Sequence, residues 1–483
     1  MRGPQDQRAR DTLTLVLHPL FLIEPSRLKN REFVLRSKMP VSASRLFDWH
    51  MKSGAFERLA PPWAAPMALT PFAEPKAGES VELLVPVLPG VKAKWTAEFV
   101  ELKAPEMFRD VQRRGPFAKF NHTHLFEAAG ENDSVMADCI TYALPGGAIG
   151  DLLGHSLVGR KLDATFGYRH RVLRTDLEVH STANASWRVA VTGARGLVGR
   201  ALVAFLESGG HDVHRMTRRS RVSEREIEFD PEKGAAHPSE LEGFDAVIHL
   251  AGDPIAKGRW TEEKKRRIRD SRVPFTRRLA ETLGALKHPP RVFISASAVG
   301  YYGDRGDRIL RESDAPGEGF LSEACLQWEQ ATEPAAQAGI RVVHLRTGLV
   351  LTTAGGALEQ MIPPFKLGLG GRLGGGGQWW SFIALDDLLY LIHHAIRNDR
   401  VQGALNATSP EPVTNAEFTT TLARALRRPA LIPVPRFVLS LVFGPMAGPL
   451  MMASARVNPE KALDTGFTFH YPALAQALGH VLP

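Results

Sequence analysis

Two cysteines in 483 residues are too few for a disulfide framework. Cys139 and Cys325 lie far apart, and no metal-binding spacing surrounds either, so the chain reads as a cytoplasmic protein kept reduced. Long apolar runs are also lacking. The early patch at residues 13–23 is broken by His18 and Pro19 and is followed by no small-residue cleavage site, so it does not read as a signal peptide. Residues 437–452 contain Gly444, Pro445, Gly448 and Pro449 and fall short of the about 20 apolar residues that cross a bilayer. That stretch reads as buried helix, turn, helix, and no integral membrane segment is expected. Long runs of like charge are missing too. The densest group, Lys264-Lys265-Arg266-Arg267, reads as the solvated face of a helix, and no nucleic-acid module is present. What remains is a globular composition, 44% hydrophobic and 23% charged, with a net charge of +8 that favours anionic ligands such as nucleotide cofactors.

The most informative stretch is residues 188–200, RVAVTGARGLVGR. An apolar run ends at Thr192. Gly193, Gly196 and Gly199 follow, and then a helical pattern through Leu202, Phe205 and Leu206. Strand, glycine turn and helix present bare N–H groups and the positive end of a helix dipole to a diphosphate. Strands and helices then alternate to about residue 345, with predicted helices at 262–286 and 321–338. That alternation predicts an α/β Rossmann-type doubly wound parallel sheet. An acid at the end of the second strand would select NAD. Thr217, Arg218 and Arg219 stand there instead, with Arg195 inside the glycine loop, and guanidinium groups suit the 2′-phosphate of NADP. NADP is therefore expected over NAD. The missing acid also disfavours S-adenosylmethionine, and Arg200 excludes a P-loop. Leu250, Ala251 and Gly252 close the fourth strand, with Ser295 on the next, as further cofactor contacts. Asp230 is a candidate acceptor for the adenine amino group.

Before this region, residues 31–181 read as an α+β domain. Five β-like runs between residues 80 and 143 precede a long helical pattern through Ile149, Leu153, Leu157, Leu162, Phe166, Leu173 and Leu177. The order of elements and the segment AFERLAPPW at residues 55–63 resemble the START-like polyketide cyclase/dehydrase superfamily, the helix-grip fold. The resemblance implies an apolar, lipid-like or polyketide-like ligand, with Trp63, Trp95, Phe99 and Phe120 as candidate lining. His122 and His124 share a strand face, but two ligands do not make a metal site, and none is expected. Residues 1–30 read as an extension and 181–186 (STANAS) as a linker.

GARGLVG, HLAG and SASAVGYYG together resemble the extended short-chain dehydrogenase/reductase superfamily, the NAD-dependent epimerase/dehydratase group. AGDPIAKGRW, IRDSR and GGGGQWWSFIALDDL are similar to an atypical sugar-nucleotide-epimerase-like subgroup. The resemblance implies a dinucleotide-binding domain over residues 187–410 and that subgroup's small C-terminal domain over 415–480. It also implies Ser-Tyr-Lys chemistry, and here the chain departs. Ser297 matches the serine, but Leu321 and Cys325 stand four apart where Tyr and Lys belong. Arg272 falls where the family has a structural Asn. Candidate proton donors are then Tyr302, its neighbour Tyr301, and Cys325, whose thiol pKa an adjacent Arg would lower but which reads first as a small buried hydrophobe. Gln378, Trp379 and Trp380 follow four glycines and read as a mobile aromatic loop or as core. Asp386 and Asp387 read as helix N-terminal charges. Two functions stay open: an NADP(H)-binding atypical epimerase or oxidoreductase acting on a small molecule, and a non-catalytic NADP-responsive binding protein. Oligomeric state is not legible.

Overall fold

A computed structural model describes residues 29–64, 67–68, 75–88, 91–181, 185–218, 223–229, 238–256 and 258–483. Residues 1–28 of the expected extension, 182–184 of the expected linker, Arg219 and Asp230 lie outside the described residues. The chain divides into two compact units. The first comprises residues up to Met51 together with Ala64–Arg171; the second comprises Lys52–Trp63 and Val172–Pro483. The boundary thus falls inside the long helix rather than in STANAS.

The first unit opens with β1 (Arg31–Met39) and α1 (Ala43–Met51); α2 (Ala55–Leu59) belongs to the second unit. Then follow β2 (Met67–Ala68), β3 (Ser80–Leu88), β4 (Val91–Lys103), β5 (Met107–Arg114), β6 (Lys119–Ala128), β7 (Ser134–Ala143) and the long helix α3 (Gly147–Ser181). The strands form one antiparallel sheet in the order β1-β7-β6-β5-β4-β3-β2. Burial alternates along β6, so Phe120, His122, His124 and Phe126 share the inner face. Phe120, Ile140 and Tyr142 pack there against Leu162 and Phe166 of α3. The expected helical stripe is only partly buried. Ile149, Leu153 and Leu157 are exposed, and the buried face begins at Leu162.

In the second unit β8 (Arg188–Thr192), α4 (Leu197–Ser208), β9 (Asp212–Thr217), β10 (Glu226–Glu228) and β11 (Ala246–His249) are followed by α5 (Glu262–Asp270), α6 (Val273–Gly284) and β12 (Val292–Ala298). Next come β13 (Ile309–Leu310), α7 (Phe320–Gln330), α8 (Glu333–Gln337), β14 (Arg341–Thr347), β15 (Leu349–Leu351), α9 (Gly356–Lys366), β16 (Trp379–Trp380), β17 (Phe382–Ala384), α10 (Leu385–Arg397) and β18 (Gly403–Ala407). The main sheet is parallel, in the order β10-β9-β8-β11-β12-β14-β18, the doubly wound order. Both expected long helices are split. Pro274 begins α6 and Pro334 begins α8, because a proline lacks the N–H that a continuing helix would use. β19 (Val413–Thr414), α11 (Asn415–Ala425) and α12 (Arg436–Phe443) follow. Phe437 and Leu441 of α12 are exposed, so this stretch is not the buried helix expected. The last elements are β20 (Arg456–Val457), α13 (Glu460–Asp464) and α14 (Leu474–Val481); Phe418, Leu422, Leu474 and Leu478 form a core with Phe382 and Leu358.

The segment containing α2 packs in the second unit. Gly54 has φ +82°, and a Cβ there would lie 2.5 Å from the carbonyl oxygen of Ala204 on α4. Arg58 of α2 donates to both oxygens of Asp176 (2.7 and 2.9 Å) and to Asp386 (2.6 Å).

Candidate cofactor site

The sheet order reverses between β8 and β11, and a crevice for a dinucleotide belongs at the carboxyl ends of those strands. The glycine turn lies there. Gly193 has φ +68°, and a Cβ on it would stand 2.8 Å from the backbone carbon of Leu250. At Gly199 a Cβ would meet the Gly193 carbonyl oxygen at 2.2 Å, so only glycine lets α4 start so close to the turn. Gly196 is the N-cap of α4 and supplies no side-chain cap, so the helix N-terminus keeps its N–H groups for a ligand. Thr192 fixes the other wall: its Oγ1 accepts from Leu250 N (3.1 Å) and Ala251 N (3.3 Å) and lies 2.7 Å from His249 Nδ1. Burial holds His249 neutral, with its pKa lowered to about 3.

β9 ends at the buried Thr217, and exposed Arg218 follows. Arg195 is exposed in the loop, 3.4 Å from Glu226 at the start of β10. The polar edge beside the glycine turn thus carries two exposed guanidinium groups, one of them paired with Glu226. Gly252 carries the backbone past Arg272: a Cβ there would fall 2.9 Å from the guanidinium carbon. Arg272 donates to the carbonyls of Ile268 and Asp253 (both 3.0 Å) and lies over Trp328, and its Nε is buried without a partner.

The candidate catalytic residues meet in one polar network. Ser297 donates to Glu329 Oε1 at 2.7 Å. Arg346 grips both oxygens of Glu329 at 2.9 Å and donates to the Tyr302 hydroxyl at 2.9 Å. Tyr302 in turn donates to Asn406 Oδ1 at 2.7 Å. Tyr302 is fully buried, and burial pushes its hydroxyl up to about 12. Tyr301 stacks under Arg346, whose guanidinium carbon is 3.5 Å from the ring centre. Cys325 is buried, and the expected lowering of its thiol pKa is reversed. Desolvation and then the Glu329 charge push it up to about 11, outweighing Arg272. Ser295 is buried on β12 opposite His249. Glu329 was missed in the sequence, although it continues the stripe Leu321, Cys325 by one more helical turn.

The description "NAD dependent epimerase/dehydratase family" matches residues 189–407, and a domain of unknown function, DUF1731, matches 434–481. Epimerase family protein Mb2239 of Mycobacterium bovis is 42% identical over 294 residues, which is 60% of this chain and 96% of that protein. The chain belongs to the epimerase family. A crystal structure described as the nucleoside-diphosphate sugar epimerase from Corynebacterium glutamicum is 32% identical, with a TM-score of 0.76 over 93% of this chain and 90% of that one. The human epimerase family protein SDR39U1, crystallised with NADPH, is 33% identical, with a TM-score of 0.57 over 61% of this chain and 98% of that one.

Other residues of this epimerase-family chain that the sequence singled out are structural anchors. Trp379 and Trp380 form β16 against β19; Trp379 Nε1 donates to Asp307 at 2.9 Å, and Trp380 packs on Phe418. Gln378 donates to the carbonyls of Leu373 and Met451 (both 3.2 Å). Asp386 and Asp387 lie in the first turn of α10, as expected of helix N-terminal charges, and both are buried. Asp386 meets Arg58 and His480, while Asp387 accepts from the backbone of His470 and Tyr471 (both 2.9 Å). Lys264 leaves the expected solvated face to pair with Asp253 and Pro254 O. Among the described residues no helix is long and apolar enough to cross a membrane. A groove of about 1430 Å³ lined by Arg277, Gln330, Arg341 and Lys461 adjoins the amino ends of β14 and β18, away from the glycine turn.

Proposed function

We propose that the second unit binds NADP(H) and exchanges hydride with a carbonyl on a small-molecule substrate, as an atypical epimerase or oxidoreductase of the cytoplasm. The observation that carries this reading is the glycine cradle at an uncapped helix N-terminus, next to a strand end that offers Arg218 where an acid would select NAD. The solved human relative with NADPH supports the choice of nucleotide. Gly193, Gly196 and Gly199 would hold the diphosphate, Arg218 and Arg195 the 2′-phosphate, and Leu250–Gly252 the backbone wall. When bound, the nicotinamide supplies or takes the hydride. Ser297 donates a hydrogen bond to Glu329, which holds it in one rotamer. Arg346 neutralises Glu329, so the buried pair holds Ser297 in place without adding net charge. The resemblance of the first unit to START-like domains supports a lipid-like ligand there. Exposed Ile149, Leu152, Leu153 and Leu157 on α3 offer such a ligand an apolar approach.

A second reading, an NADP(H)-responsive binding protein without turnover, is favoured by one observation. Leu321 and Cys325 replace the acid/base pair, and both Cys325 and Tyr302 are held neutral in buried positions. Anaerobic mixing with NADPH and a panel of carbonyl compounds separates the two readings. Oxidation of NADPH that slows roughly 100-fold in Ser297→Ala supports the first. Binding with no oxidation across the panel leaves the second.

A further inference from the structure

The first unit carries a cluster of titratable side chains that the nucleotide site does not use. β5, β6 and β7 lie side by side, and their register puts Asp110 opposite His122 and Asp138 opposite His124, all on the inner face. Asp138 is fully buried and grips three imidazoles. His122 Nε2 stands 2.9 Å and His124 Nδ1 2.7 Å from its Oδ1, the latter off the line of an ideal hydrogen bond; His170 Nε2 lies 2.7 Å from Oδ2. A carboxylate only accepts, so the nitrogens of His122 and His170 that bond it carry the protons of their rings. The lone pair of His122 is thereby left on Nδ1, 3.5 Å from Asp110 Oδ1, and Nε2 of His124 lies 4.0 Å from the same oxygen. A lone pair facing a carboxylate repels it. The gap between them calls for a positive charge, a proton or a cation.

We propose that Asp110, His122 and His124 form a binding site for a first-row divalent metal ion, with Asp138 as the carboxylate that orients both imidazoles. Donors held about 2.0–2.2 Å from one ion lie roughly 3–3.5 Å apart, close to the separations found. Two imidazoles and one carboxylate suit Zn²⁺ or Fe²⁺ and leave positions open for water or a ligand oxygen. The carboxylate–histidine pairing is the outer-shell arrangement that fixes tautomer and ring direction at metal sites. Charge is consistent with the assignment. Asp110 and Asp138 outweigh the one nearby guanidinium, Arg169, whose Nε is buried without a partner. His50 adds a further buried, unpartnered Nε2, its ring 5.9 Å from that of His124.

A second trio, His180, His211 and His393, also brings three ring nitrogens together, but its chemistry differs. His211 Nδ1 accepts the backbone N–H of Trp187 at 3.1 Å, so its Nε2 is protonated and turns a hydrogen, not a lone pair, to its neighbours. It serves as the control.

The test uses the full chain, stripped with a chelator, reloaded with Zn²⁺ and passed over a desalting column before elemental analysis. One Zn²⁺ per chain is expected in the wild type and in His211→Asn, and less than a tenth of that in Asp110→Asn and His124→Gln, with unchanged circular dichroism. Co²⁺ loading of the wild type reports the same site without a variant: visible d–d bands of a nitrogen/oxygen-ligated ion are expected. Absence of both bound Zn²⁺ and Co²⁺ bands in the wild type overturns the proposal. So does full retention of Zn²⁺ by a folded Asp110→Asn.

Discussion

At Gly199 a single methyl group decides whether the nucleotide turn exists. Its Cβ would stand 2.2 Å from the Gly193 carbonyl oxygen, and that atom is backbone and cannot swing away. Gly199→Ala is expected to lose about 1–3 kcal/mol of stability and to abolish detectable NADPH binding, read by urea unfolding and by nucleotide fluorescence. On the proposed reading Arg218 meets only the 2′-phosphate. Arg218→Ala removes a charge-assisted contact of about 1.5–3 kcal/mol, so NADPH affinity should fall roughly 10- to 100-fold while NADH affinity stays unchanged. At this scale the sequence was legible where chemistry repeats at short range. Three glycines, Thr192 and the basic end of β9 could all be read from spacing alone. Glu329 was within reach as the next turn of a stripe already noticed. Asp110 was not, because its partnership with His122 depends on which residues of two strands face each other, and spacing does not encode register.

Among the elements, α2 shows what local pattern conceals. A short helix beside Gly54 looks like a piece of the domain that surrounds it in sequence. Arg58 instead ties it to α3 and α10 through Asp176 and Asp386, with Tyr390 also in contact. The side chains of Arg58 and Asp176 are 4% and 0% exposed, so the pair is beyond solvent screening. Truncating one partner strands the other charge. Arg58→Met is expected to destabilise the chain by about 3–5 kcal/mol, read as a lower urea midpoint. Helix limits were legible only where caps or prolines mark them. Pro274 and Pro334 were visible but were read as interior residues of single helices. The exposed start of α3 broke the expectation from periodicity, since periodicity reports which residues share a face and not whether anything covers it.

For the whole molecule, buried imidazoles set the response to acid. Burial lowers His50 and His211 to about 4, and His124, His249 and His393 to about 3. Each takes up a proton near pH 6.5 when unfolded and resists doing so when folded. Their contribution is therefore complete above that pH and is lost as pH falls toward 4, by up to about 1.4 kcal/mol per pH unit for each ring. Asp387 has the opposite sign: burial raises it to about 7, so its contribution weakens as pH rises from about 4 to 7. Asp110, Asp176, Glu207 and Glu312 are raised by burial in the same sense as Asp387, but the lowered rings, which include His180, His344, His394 and His470, outnumber these carboxyls, so the urea midpoint should drop between pH 6.5 and 5. The two-part architecture and the doubly wound order were legible because strand–helix alternation and strand-after-strand spacing are properties of long stretches. The position of the boundary was not, because α3 continues through it without a break in pattern.

On the proposed reading the second unit holds NADP(H) on the glycine turn and recognises its 2′-phosphate. Calorimetric titration of the full chain with NADPH and with NADH tests it most directly. One NADPH site per chain is expected, bound at least tenfold more tightly than NADH, with the difference lost in Arg218→Ala. Equal affinity for the two nucleotides, or no binding of either, would contradict it.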